Sequence, residues 1–252
     1  MSSSQIHLSK RLYAVASFVS RGVHLVDVGC DHCYIPIWLM QQEMVPHVLA
    51  LDVREEPLAR AKENISSYGF SPSQIEIRLS DGLKAYQKGE ADSLLMSGIG
   101  GLLVCEILSY AQEMSYLDDF KELILSPHTD QGEVRRKLHE LHFRIDCETM
   151  ALDAGKYYTV IHAVHGEEQY DREEEYLYGK YLIEHPTQTF HAFIEKQLET
   201  KKELYQKILR TDTPRARRYA PQLEKELKGL RWILSKEEEE KEFEQAESEF
   251  LG

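Results

Sequence analysis

Five short, mostly apolar runs, each closed by turn residues, constrain what this chain can fold into more than any other feature. They are HLVDV at 24–28, HVLALD at 47–52, IEIRL at 75–79, DSLLMS at 92–97 and KELILS at 121–126. Runs of this length and character suit strands buried on both faces. Helix-like stretches separate or follow them at 34–44, 55–68, 102–114 and 132–141, and in the second Leu58, Ala61 and Ile65 share one face. Strands alternating with helices predict right-handed crossovers and a mostly parallel, doubly wound α/β sheet. The pattern then changes. Segments 143–152 and 157–165 flank Asp153-Ala154-Gly155-Lys156, which predicts an antiparallel hairpin at the end of the sheet. A further amphipathic helix is expected at 9–19, with Leu12, Val15, Ala16 and Val19 on one side.

Beyond His165 no strand pattern remains, so the expected division is an α/β domain over 1–166 and a helical domain over 167–252. Leu223, Leu227, Leu230 and Leu234 recur at spacings of four, three and four, an a/d seam. Ile194, Leu198, Tyr205 and Ile208 continue that rhythm on the preceding segment, interrupted at Lys201. Pro214 and Pro221 predict a break between the two segments, and hence an antiparallel helical hairpin capped by a basic loop.

The net charge of −13 argues at face value against a nucleic-acid partner. Its distribution points elsewhere: 206–234 carries eight Lys or Arg against three acids, and 235–252 carries two Lys against eight Glu. A basic segment beside an acidic tail differs from a uniformly acidic surface, although a solvated hairpin of mixed charge has the same composition. No apolar run is long enough for a signal peptide or membrane span, and four cysteines without a secretory signal predict reduced thiols in the cytoplasm.

The chemistry-bearing residues cluster at the ends of the predicted strands, where an open α/β sheet binds its ligand. The first strand runs into Asp27-Val28-Gly29-Cys30-Asp31-His32-Cys33, and Gly29 lets the backbone approach a cofactor closely. Asp31 would repel a pyrophosphate but not a sulfonium or amino group, which favours S-adenosylmethionine over a nicotinamide dinucleotide. Asp52 ends the second strand, where a carboxylate can accept ribose hydroxyls, and Asp81-Gly82 follow the third. Ser97-Gly98-Ile99-Gly100-Gly101 follow the fourth and leave room for a substrate beside the cofactor. Two other readings of the cysteines stand beside this one. Cys30 and Cys33 have the spacing of a redox pair between strand and helix. A zinc set is not expected, because Cys105 and Cys147 are isolated and four ligands are required.

Taken together, DVGCDHCYIP, SDGL, SGIGG, the opening KRLYAVASFV and the helical C-terminal hairpin resemble the bacterial tRNA (adenine-N1)-methyltransferases that act at tRNA position 22. The resemblance spans essentially the whole chain. It implies a Rossmann-like methyltransferase domain, a C-terminal coiled coil, S-adenosylmethionine as cofactor, tRNA as partner and no metal. By position, Asp27, Gly29, Asp52, Asp81, Gly82 and Gly98 would line the cofactor site, and Asp31 and His32 would face methyl transfer. Arg210, Arg215, Arg217, Arg218 and Arg231 of the basic segment are the expected RNA contacts. Ile99 stands where the family usually has Met, and Ser126-Pro127-His128 where it tends to show Gln-Pro-Asn. Both departures bear on the substrate side. A methyltransferase for a protein or small molecule, and a non-catalytic assembly protein retaining the fold, remain as alternatives.

Overall fold

The computed structural model describes residues 5–210 and 213–250, with side chains as far as Lys236. Residues 211–212 and the side chains of most of the acidic tail therefore lie outside the described residues. The chain divides into two compact units between Gln169 and Tyr170.

In the first unit α1 (Lys10–Ala16) precedes β1 (His24–Val28), followed by α2 (Tyr34–Gln41), β2 (His47–Asp52), α3 (Glu55–Ser67) and β3 (Ile75–Leu79). Then come β4 (Ser93–Ser97), α4 (Gly101–Glu113), β5 (Glu122–Ser126), α5 (Gln131–Glu140), β6 (Phe143–Asp153) and β7 (Lys156–His165). The seven strands run in the order β3-β2-β1-β4-β5-β7-β6, with β1 to β5 parallel and β7 antiparallel to both its neighbours. The expected doubly wound sheet with a terminal hairpin is what forms. The strand order reverses between β1 and β4, the point at which such sheets open a crevice.

Burial explains why the strands were visible. Nearly every residue of β1, β2, β4 and β5 is buried, because helices cover both faces. The β6–β7 turn is a two-residue connection with Ala154 at φ 47° and Gly155 at φ 76°, the left-handed pair that matches strand twist. Helix ends are shorter than the periodicity predicts. The first helix stops at Ala16, and the second stops at Gln41 before Glu43 turns left-handed at φ 52°.

The second unit contains α6 (Glu173–Tyr178), α7 (Lys180–Glu184), α8 (Gln188–Leu209) and α9 (Pro214–Phe250), with α8 packed on α9. Two expectations are corrected here. Pro221 does not break the chain: α9 runs through it. Pro214 sits at the first helical position, where no N–H is needed, and Thr213 Oγ1 caps the helix by accepting from Ala216 N at 3.2 Å. Pro221 then removes a single backbone bond from a helix held by its seam. The seam also ends differently. Leu223, Leu227 and Leu230 are buried, but the next buried residue is Ile233, while Leu234 is only half-buried. The interruption at Lys201 has a partner, since its Nζ lies 2.6 Å from Glu226 Oε2 across the α8–α9 pair.

Candidate functional site

A cleft of about 540 Å³ opens at the carboxyl ends of β1 to β4, with α1 and the segment after β5 supplying its other wall. It brings together Asp27, Gly29, Asp31, His32, Asp52, Asp81, Gly82 and Gly98, all predicted from sequence.

The floor is built by the turn after β1. Gly29 adopts φ 82°, and its N–H and that of Cys30 both donate to Leu51 O, at 2.8 and 3.1 Å. A Cβ at Gly29 would lie 3.2 Å from Ile99 Cγ2, so the β1 and β4 turns close on each other only because this residue is glycine. Asp31 at φ 45° and Cys33 at φ 57° are also left-handed. Two non-glycine residues in that region within three positions mark a turn whose shape the surroundings impose. Cys30 and Cys33 are buried free thiols, and the hydrogen bond with Cys33, then burial, pushes the Cys30 thiol far up. A redox pair needs an accessible thiolate. These thiols are packing.

The cleft is acidic and partly desolvated. Asp27 is 3% exposed and its carboxylate accepts no hydrogen bond from the described residues, and burial, then the neighbouring Asp52, raises its carboxyl to about 7. Asp52, also buried, accepts from Arg54 N at 3.0 Å and Asp31 N at 3.3 Å. Asp81 is exposed and pairs with Lys84 Nζ at 2.5 Å. The Ser97 hydroxyl lines the same cleft, buried and without a hydrogen-bond partner among the described residues.

Asp31 points outward, half-exposed, with His32 Nε2 3.7 Å from one oxygen and Arg54 Nη2 4.0 Å from the other. The His32 ring stacks on Tyr34 at 5.3 Å, and its carbonyl accepts from Asn64 Nδ2 at 3.0 Å. Across the cleft, Arg11 Nη1 lies 3.0 Å from His128 Nε2, and the guanidinium sits 5.1 Å from the centre of the Tyr158 ring. Arginine has no acceptor, so His128 Nε2 must accept and the imidazole is neutral with its proton on Nδ1. Burial, then Arg11 and Lys156, lowers the His128 pKa in agreement with that assignment.

Arg11 and Arg54 are charged residues lining the cleft that the sequence did not single out. Arg54 lies two residues beyond Asp52, which is a weak local signal. The Arg11–His128 pair spans 117 positions and has no local signal at all.

The basic residues lie in the second unit. Arg210 ends α8, while Arg215, Arg217 and Arg218 occupy the first turns of α9 and not a loop. Lys207, Arg215, Arg218 and Tyr219 border a shallow hollow of about 740 Å³ at this helix junction. Arg231 is not part of it: sixteen residues along α9 from Arg215, it stands about 24 Å away along the helix axis.

A switch-point crevice with acids at successive strand ends defines a nucleotide-type cofactor site on a Rossmann-like sheet. Residues 8–161 match the methyltransferase domain family, and the chain belongs to that family. Over 214 residues it is 28% identical to the tRNA (adenine(22)-N(1))-methyltransferase of Bacillus subtilis, covering 81% of this chain and 87% of that protein. The crystal structure of the Bacillus subtilis m1A22 tRNA methyltransferase TrmK superposes with a TM-score of 0.79 at 26% identity, over 90% of this chain and 99% of that one. Streptococcus pneumoniae Sp1610, crystallised in complex with S-adenosyl-L-methionine, superposes with a TM-score of 0.80 at 27% identity, over 90% of this chain and all of the other. Among the described residues no helix is long and apolar enough to cross a membrane.

Proposed function

We propose that this chain is an S-adenosylmethionine-dependent methyltransferase that methylates N1 of adenosine 22 in tRNA. The observation that carries the cofactor reading is Asp27, a buried carboxylate facing the cleft with no partner of its own. Its raised pKa is what an ammonium group in reach would reverse. The methionine amino group of S-adenosylmethionine is such a group. Asp52 keeps lone pairs for ribose hydroxyls beyond its two backbone donors, and Asp81 suits an exocyclic adenine amino group. The substrate reading rests on the relatives and on the basic helix junction. A reaction on tRNA fits a cytoplasmic enzyme.

The cofactor brings an already activated methyl, so the protein has mainly to align and to stabilise charge. Adenine N1 becomes positive as it attacks. Asp31 at the rim of the cleft carries the charge that stabilises it, with Arg54 and His32 at ion-pair distance from that carboxylate. His128, held neutral by burial and by Arg11, offers an Nδ1–H for positioning the base without adding a competing positive charge. Because N1 is normally engaged in pairing or stacking, the nucleotide has to leave the stack to reach the cleft.

The direct test is mass spectrometry of nucleosides from tRNA incubated with the protein and cofactor. One 1-methyladenosine per acceptor tRNA is expected, and it should vanish when position 22 is not adenosine. Methylation of another nucleoside would overturn the assigned position, and no tRNA methylation would overturn the substrate class.

The helix junction makes a separate prediction. Reversing Arg215, Arg217 and Arg218 to Glu should lower tRNA affinity at least tenfold and flatten its salt dependence, with cofactor affinity unchanged. Filter binding at several salt concentrations measures this. Undiminished tRNA affinity would remove the junction from RNA recognition.

A further inference from the structure

We propose that Asp146, Cys147 and His162 form a binding site for a zinc-type divalent cation at the end of the sheet away from the cleft. The site lies beside Glu122, the first residue of β5, whereas the cleft opens beyond Ser126, its last. None of the three residues lines the cleft.

A defect in the β6–β7 ladder brings them together. Pairing runs one to one from Asp153–Lys156 back to Cys147–His162 and then resumes at Ile145–Ala163, so Asp146 is an extra residue. In a regular strand Asp146 and Cys147 would point to opposite faces. The bulge turns both toward His162, and one ligand atom from each of the three lies within 4.8 Å of the others.

The imidazole is set up as a ligand. Its Nε2 lies 3.0 Å from Glu122 Oε2, and Glu122 is itself held by Ser20 N, Ser20 Oγ and Ser93 Oγ at 3.0, 2.6 and 2.8 Å. A carboxylate that fixes one ring nitrogen and directs the other outward is the outer-sphere arrangement of metal-binding histidines. The other nitrogen, Nδ1, is buried, makes no well-formed hydrogen bond among the described residues, and lies 3.6 Å from Asp146 Oδ2. Arg144 Nη1 holds Asp146 Oδ1 at 2.8 Å, which leaves Oδ2 for the site.

Thiolate, imidazole and carboxylate together suit zinc better than magnesium or calcium. In a tetrahedral set the ligand atoms stand roughly 3.5 Å apart, within reach of small side-chain rotations here. Asp146 is half-exposed, so water can take the fourth position. Binding must displace the thiol proton of Cys147, while His162 Nε2 stays paired with Glu122 and Nδ1 offers its lone pair. The cation therefore competes with a proton, and affinity should rise with pH. Sequence reasoning saw Cys147 as isolated because a bulge cannot be read from spacing.

The test uses the full chain, stripped with a chelator under reducing conditions and given one equivalent of zinc or cobalt(II). One zinc per chain should survive gel filtration, and the cobalt form should show a thiolate charge-transfer band. Cys147→Ser, which keeps the volume, and Asp146→Asn should each weaken zinc at least tenfold and leave S-adenosylhomocysteine affinity unchanged. Glu122→Gln should weaken zinc tenfold to a hundredfold. If the wild-type chain retains no zinc, or if Cys147→Ser retains as much, the site does not exist and His162 serves only to pair with Glu122. This outcome is independent of whether the cleft binds S-adenosylmethionine.

Discussion

Asp27→Asn is expected to raise the thermal midpoint of the ligand-free protein at pH 8 and to lower its affinity for S-adenosylmethionine at least tenfold. The two effects have one cause. Burial and Asp52 raise the Asp27 carboxyl from 3.8 to about 7. A buried acid with a raised pKa costs nothing while protonated in both states. The cost grows as pH climbs from 3.8 toward 7, because the unfolded chain ionises first. At about 1.4 kcal/mol per unit, the folded protein carries a penalty on the order of 4 kcal/mol at pH 8. Asparagine removes the charge but leaves amide donors to satisfy, which offsets about 1–3 kcal/mol. A gain of several degrees at pH 8 should therefore shrink or reverse at pH 5, where the native carboxyl is neutral. Binding an ammonium group restores the ionised form, so wild-type affinity should also rise with pH between 6 and 8. Scanning calorimetry and titration calorimetry at both ends of that range decide the matter. Equal midpoints at both pH values, or unchanged affinity, would falsify the assignment of Asp27.

Asp31→Asn should slow single-turnover methyl transfer on the order of a hundredfold while cofactor affinity stays within about threefold. The substitution isolates charge from shape. Asn is nearly isosteric and accepts the left-handed backbone that this position requires, φ 45°. The backbone N–H that Asp52 accepts is untouched. A merely structural Asp31, paired with Arg54 and His32, would instead show lost stability or lost cofactor affinity, with the rate recovering at saturating cofactor. Full single-turnover activity would remove Asp31 from the chemistry and shift attention to Arg11 and His128 on the opposite wall.

How far the sequence was legible depended on the range of each interaction. The strands could be read because fully buried parallel strands are continuous apolar runs, as in HVLALD at 47–52. The site acids could be read because a doubly wound sheet places its ligand at strand ends, so Asp27, Asp52 and Asp81 needed only the strand assignments. The helical segments were visible, but their details were not. Pro221 lies within α9 because tertiary packing of the seam outweighs one missing hydrogen bond. The seam passes through Ile233 because helical geometry and packing, not leucine spacing, choose the buried face.

By itself the sequence determined the layered α/β unit, the closing hairpin, the helical second unit and the acids of the cleft, since all of these follow from local periodicity. Only the tertiary structure decided the rest: the raised pKa of Asp27, the neutral tautomer of His128 beneath Arg11, and the meeting of Asp146, Cys147 and His162 at a bulge. Desolvation and pairing between groups far apart in the chain depend on what folding places within a few ångströms, and no local pattern of residues carries that information.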